Sequence, residues 1–186
     1  IVLLLFAFVP QFGAEGVWVS VFTAISAFCN AGFDLFGRFG AYSSLVPYVN
    51  NYYVQAVVMF MIMAGGLGFM VWVELAEYRK KRHLSLHAKV VLQFSAIFWV
   101  GGAVLLALLE WSNPKTMGGL SVPSKLMAAL FQSVSTRTAG MNTIDLAACS
   151  PISKLLMSVL QFIGAAPGST GGGVKVTTFA VLILTI

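Results

Sequence analysis

Residues 24–34 read Ala24-Ile25-Ser26-Ala27-Phe28-Cys29-Asn30-Ala31-Gly32-Phe33-Asp34, and residues 132–142 read Gln132-Ser133-Val134-Ser135-Thr136-Arg137-Thr138-Ala139-Gly140-Met141-Asn142. Each ends in Ala-Gly, a large apolar residue, and then Asp or Asn. Each leads into a polar stretch followed by a long apolar run. The chain around them is 59% hydrophobic and only 9% charged over 186 residues, where a soluble domain carries about 25% charged residues. That composition defines an integral membrane protein, and the apolar runs have the lengths of helices, so the fold class is all-α. Polar, Gly-bearing backbone inside a membrane protein is tolerated only where protein or water satisfies it, and a ring of such loops is how ion filters are built.

Working outward, Ile1–Val9 reads as a helix tail broken by residues 10–16, with Gly13 and Gly16 as punctuation. Val17–Phe28 is apolar but too short to cross a bilayer, which takes about 20 residues; it reads as a re-entrant helix ending in the first loop. Residues 34–51 read as an exposed, Gly/Ser/Asn-rich loop. Tyr53–Leu75 reads as one full span, with Gly65, Gly66 and Gly68 as a small-residue packing surface. Lys89–Glu110 reads as a second full span. Ser124–Val134 is a second short helix, followed by the second polar loop. Pro151–Gly164 begins an apolar helix that breaks early, at Gly164–Lys175 (GAAPGSTGGGVK), and the apolar run resumes at Val176. Span, short helix, loop, span occurs twice, a repeat of about a hundred residues that fits duplicated channel or transporter units better than a solenoid. The organisation is therefore residues 1–78 as one membrane–pore-loop–membrane unit, 79–88 as a basic loop, and 89–186 as the next unit. Both chain ends fall inside apolar runs, so the sequence reads as part of a longer membrane protein.

The net charge is +5, and its densest cluster is Arg79-Lys80-Lys81-Arg82. By the positive-inside rule this loop is cytoplasmic. It lacks the interleaved aromatics of a nucleic-acid surface, and no nucleic-acid partner is expected. With that loop inside, both polar loops open outward. The helix from Pro151 then enters from outside and descends about 20 Å over 13 residues, which places its Gly-rich break near the midplane of a core about 30 Å thick. Lipid-facing irregular backbone does not occur at that depth. The segment must pack on protein or line an aqueous path, and Lys175 must face water, carbonyls or an acid rather than lipid.

The chemistry of each motif follows from its residue types. A dehydrating cation needs oxygen ligands, and backbone carbonyls supply them without fixed charge. Gly32 and Gly140 permit the backbone turns that aim carbonyls at one axis; Ala31 and Ala139 let loops crowd around it; Asn30 and Thr138 are placed to brace it. Arg137 is expected to point away from a cation path, toward carbonyls or an acid. Gly168-Ser169-Thr170-Gly171-Gly172-Gly173 superficially resembles a phosphate loop. The lysine of such a loop directly follows its last glycine and precedes Ser or Thr, whereas here Val174 intervenes and Val176 follows Lys175. His83 and His87 lie in the basic loop with no third ligand or nucleophile nearby in sequence. Cys29 and Cys149 give no metal spacing and no disulfide framework.

Phe28-Cys29-Asn30-Ala31-Gly32-Phe33-Asp34, Ser135-Thr136-Arg137-Thr138-Ala139-Gly140 and Pro167-Gly168-Ser169-Thr170 with the following glycines and Lys175 together resemble the Trk/Ktr/HKT superfamily of potassium transporters, most closely the membrane subunit of the bacterial Ktr and Trk systems. The resemblance covers essentially the whole chain. It implies four pore-loop units around a pseudo-fourfold axis, of which this chain holds the second and third. It implies a filter at Cys29, Asn30, Ala31, Gly32 and at Thr136, Arg137, Thr138, Ala139, Gly140, with potassium bound as substrate by backbone carbonyls and no cofactor in this chain. The gate it implies is the intramembrane segment with Gly164, Pro167, Gly168, Ser169, Thr170, Gly171, Gly172, Gly173 and Lys175. It further implies a homodimer embedded in membrane lipid, in the plasma membrane, docked on a cytoplasmic nucleotide-binding regulatory ring. The expected function is potassium uptake, not enzymatic catalysis. Two alternatives stand beside it: an intramembrane hydrolase with Ser169 as nucleophile, and a structural membrane fragment without activity.

Overall fold

The structure is a computed structural model that describes residues 1–40 and 42–185, with Arg38 described by its backbone alone. It is all-α. Among the described residues eight α-helices follow in chain order: α1 (Val2–Phe12), α2 (Glu15–Phe28), α3 (Tyr52–Gly66), α4 (Phe69–Lys81), α5 (Leu86–Glu110), α6 (Val122–Ser135), α7 (Pro151–Phe162) and α8 (Val176–Thr185).

α1 runs through Pro10 and stops only at Gly13, whose φ of 59° closes it. The expected break over residues 10–16 is thus narrower. A single proline near a helix end removes one backbone bond, whereas the positive φ at Gly13 reverses the chain. Gly16 then lets α2 pack hard on α1: a Cβ there would lie 2.4 Å from the Phe8 carbonyl oxygen. Residues 34–51 are not simply an exposed loop. Phe36 and Leu45 are fully buried and Tyr48 nearly so. The Phe8 ring packs 5.6 Å from Phe36 and 5.4 Å from Tyr48. Apolar residues dispersed through a polar, Gly-rich stretch thus build a small core against α1.

The largest departure from the sequence reading is at Tyr53–Leu75. In place of one straight span, α3 ends at Gly66 and α4 leaves at 99° to it. Gly68 carries φ 84° at the break. Glycines weaken the helix by about 1 kcal/mol each relative to alanine, and the bonds freed by the break find other partners. Phe69 N–H donates to the Gly168 carbonyl at 3.1 Å, and the Trp72 indole N–H reaches back to the Ala64 carbonyl at 2.8 Å. The basic loop 79–88 shrinks to residues 82–85, because α4 continues through Lys81 and α5 begins at Leu86. Ser85 caps α5, accepting from Ala88 N–H at 3.2 Å, and donates its own hydroxyl to Glu74 at 2.6 Å.

α5 is the one described helix long and apolar enough to cross a bilayer alone; α3 with α4 makes a second if the bent pair is counted as one span. At 1.5 Å per residue α5 is about 37 Å long. On one side of it Ile97, Val100, Val104, Leu105 and Leu108 are all exposed. At its far end Glu110 is fully buried. Its carboxylate accepts from Ser150 N–H at 2.8 Å and from the Ser153 hydroxyl at 2.6 Å, and from Thr116 at 2.6 Å and Asn113 at 2.7 Å. One side chain thereby anchors the start of α7 to the end of α5. Buried Phe131 and Val134 of α6 join residues of α1, α2 and α3 in one apolar core, which sets the two polar loops side by side.

Candidate ion-filter site

Each polar loop hangs from the C-terminus of a short helix, α2 or α6. Asn30 and Gly32 have φ of 52° and 76°, and Thr138 and Gly140 have φ of 78° and 81°. Ala31 and Ala139, between them, have negative φ. The same alternation therefore occurs at the same repeat positions. Residues of alternating handedness turn successive N–H groups to one side and their carbonyls to the other. A hydroxyl clamps the exit of each loop: Ser26 donates to the Phe33 carbonyl at 2.6 Å, and Ser135 donates to the Met141 carbonyl. Ala31 N–H returns to the Ser26 carbonyl and Ala139 N–H to the Ser135 carbonyl, both at 2.9 Å. The loops meet at their glycines: a Cβ on Gly32 would lie 3.0 Å from the Ala139 carbonyl oxygen and 3.2 Å from Gly140 Cα. Ala139 is buried and Cys29 exposed. The Thr136 hydroxyl is turned back on its own helix, to the Ser133 carbonyl at 3.0 Å.

The 164–175 segment folds on itself between α7 and α8. Gly164 N–H bonds the Val174 carbonyl at 2.9 Å, Ala165 N–H the Gly172 carbonyl at 3.2 Å, and Val174 N–H the Phe162 carbonyl at 2.9 Å. Gly164 has no room for a side chain, since a Cβ would fall 1.8 Å from the Gly172 carbonyl oxygen. The Lys175 ammonium donates to the Gly171 carbonyl at 2.7 Å, inside the same segment. The Ser169 hydroxyl is bonded to the Ala166 carbonyl at 2.5 Å, and neither histidine bonds it.

This segment touches both polar loops and the α3–α4 break. From the first loop, Asn30 Nδ2 donates to Thr170 Oγ1 at 2.8 Å, and that hydroxyl donates onward to the Phe28 carbonyl at 2.8 Å. From the second, Thr138 Oγ1 accepts from Gly172 N–H at 3.0 Å, and the Arg137 guanidinium donates to the Gly164 carbonyl at 2.5 Å. Arg137 is 5% exposed and stacks over Phe98 and Trp99, 5.4 and 5.9 Å from the ring centres. It meets a carbonyl and two aromatic faces, with no acid among the described residues within ion-pairing distance. From the other side, Ala166 N–H donates to the Gly66 carbonyl at 3.0 Å and Thr170 N–H to the Gly65 carbonyl at 3.2 Å. Two interrupted helices thus satisfy each other's backbone, as irregular backbone at membrane depth requires.

Residues 2–186 match the family described as TrkH, cation transport protein. The chain belongs to the TrkH family. It is 40% identical to the potassium/sodium uptake protein NtpJ of Enterococcus hirae, over 95% of this chain and 38% of that protein. It is 41% identical to the Ktr system potassium uptake protein B of Vibrio alginolyticus, over 98% of this chain and 40% of that protein. The fold is shared with the crystal structure of the potassium transporter TrkH from Vibrio parahaemolyticus, with a TM-score of 0.74 at 23% identity, over 98% of this chain and 38% of that one. The chain therefore spans about two fifths of the length of these relatives. The family's description and these relatives' names are those of transport proteins, and none supports a serine hydrolase at Ser169.

Sequence reasoning missed Gly65, Gly68, Ser26, Ser135 and Glu110 as contributors to the site and its support. The signal for the first two was present in Gly65-Gly66-Leu67-Gly68. Three glycines in four residues mark a helix break as readily as a packing face, and only the contacts with 164–175 distinguish them.

Proposed function

We propose that this chain supplies two adjacent filter loops and the gate segment of a potassium-uptake transporter. Potassium, the substrate, is held in turn by backbone carbonyls of residues 29–32 and 136–140. The observation that carries this reading is the repeated φ alternation ending at Gly32 and Gly140, with the two glycines in contact. The two short helices support it. Both end at the loops, and the negative end of a helix dipole favours a cation at that point. The 164–175 segment, bonded beneath both loops, is the gate; its displacement opens the path. The loops face outward, the 82–85 turn and the flanking basic residues face the cytoplasm, and the protein is a multi-pass plasma-membrane component. The naming of a relative as part of a Ktr system supports partners: a second copy of the membrane subunit and a cytoplasmic nucleotide-binding ring that biases the gate.

The test is uptake by the full-length protein in a cell that requires potassium uptake for growth. Gly140→Ser and Gly32→Ser should each reduce the preference for potassium over sodium. A preference equal to that of the parent protein in both variants would overturn the filter assignment.

A further inference from the structure

We propose that Asn30 and Thr138 are positioning residues that latch both filter loops to the 164–175 segment, so that ion selectivity and gate position change together. The proposal rests on the filter and gate reading above and adds a coupling between them. Asn30 and Thr138 occupy the same place in the two repeats, two residues before Gly32 and Gly140. Their chemistries differ, one an amide donor and the other a hydroxyl acceptor. Yet both reach the same short segment, at Thr170 and at Gly172 N–H. One short piece of backbone therefore holds two loops that are far apart in sequence.

Backbone geometry gives the latch its effect. Thr138 has φ 78°, a true outlier for a β-branched residue. Such conformations persist only where the surroundings impose them. The bond from Gly172 N–H imposes it, and a Cβ on Gly171 would sit 3.0 Å from Thr138 Oγ1 and 2.4 Å from the Ala165 side chain, so the fit has no slack. Asn30 tolerates its positive φ more readily. Its partner Thr170 passes the contact on to the Phe28 carbonyl in the last turn of α2. Moving the segment breaks both side-chain bonds at once. Thr138 is then free to return to negative φ, which turns the peptide leading to Ala139 and Gly140.

The experiment uses the full-length transporter with Thr138→Val and Thr170→Val, near-isosteric changes that remove only the hydroxyls. Each should raise potassium flux and lower the potassium-over-sodium ratio, by about two- to tenfold, the range that one lost hydrogen bond supplies. Thr138→Ser and Thr170→Ser should restore both readouts relative to the valine forms. Independently of flux, maleimide labelling of a Ser169→Cys substitution, quantified at that position by mass spectrometry, should quicken in the Thr138→Val background. Higher flux with an unchanged ratio would overturn the coupling while leaving the gate reading intact. Flux and ratio both unchanged, with labelling unchanged, would overturn the latch. If Gly140→Ser also left the ratio unchanged, the failure would lie in the filter reading itself.

Discussion

Gly32 and Gly140 meet backbone to backbone: a Cβ built on Gly140 would lie 3.0 Å from Gly32 Cα, and both residues have positive φ. Two loops are thereby held so close that a side chain on either glycine would have to push the other loop away by a few tenths of an ångström.

Gly32→Ala and Gly140→Ala should therefore each destabilise the protein. A non-glycine residue in the left-handed region costs about 1–2 kcal/mol, and the contact adds to it. Because both substitutions spoil one contact, their effects should not add. A double-mutant cycle by thermal unfolding in detergent should give a coupling above about 0.5 kcal/mol; strict additivity would mean that the loops separate easily.

Gly65→Ala places a Cβ 1.8 Å from the Phe28 carbonyl oxygen and 2.8 Å from Thr170 Oγ1. In an open helix the same change gains up to about 1 kcal/mol. Here overpacking should reverse the sign, with a loss of about 1–3 kcal/mol. Gly101→Ala in α5, where nothing lies within 4 Å, is the control and should be neutral or stabilising. Melting temperatures of the two variants in the same detergent decide the matter.

Glu110→Ala leaves the Ser150 N–H, the Ser153 and Thr116 hydroxyls and the Asn113 amide without their acceptor. Only the Ser153 hydroxyl among them is fully buried, and Asn113 keeps a second acceptor in the Ala148 carbonyl; one unsatisfied buried donor costs about 1–3 kcal/mol, so a loss of about that size is expected. Glu110→Gln keeps one oxygen and should lose less. Chemical denaturation of the two variants should rank them in that order, and hydrogen exchange should quicken first in the opening turn of α7.

Arg137→Lys keeps the charge but loses the planar fork that both lies over Phe98 and Trp99 and donates to the Gly164 carbonyl. Arginine and lysine are not equivalent at a stacked, hydrogen-bonded site. The variant should lose about 1–2 kcal/mol of stability, measured by thermal unfolding, and its 164–175 segment should be cleaved faster by protease. Stability equal to the parent would show that the guanidinium plane contributes nothing there.

The elements with a strong local signal were legible in the sequence. The two short helices, the long α5 and the interruption at 164–175 follow from run length, glycine content and the cost of polar backbone in lipid. The 99° break between α3 and α4 was not. Only Gln55 and Glu74 interrupt its apolar run from Tyr53 through Leu75, and Gly65, Gly66 and Gly68 permit a bend without requiring one. What decides it lies about a hundred residues away, in the Gly168 carbonyl that accepts from Phe69 N–H. Residues 34–51 misled in the opposite direction. Polar composition suggested exposure, yet Phe36, Leu45 and Tyr48 find a core on Phe8 that no local pattern announces.

By itself the sequence determined the class and the positions of the two polar loops and of the Gly-rich interruption, because composition, helix length and glycine placement are local properties with direct physical consequences. Only the tertiary structure decided which parts meet. It set Gly32 against Gly140, tied Asn30 and Thr138 to one segment, and closed two helix breaks on each other. Those contacts join residues from 34 to 140 positions apart. They exist because buried backbone donors and carbonyls must find partners, and in this chain each break supplies the partners that the other lacks.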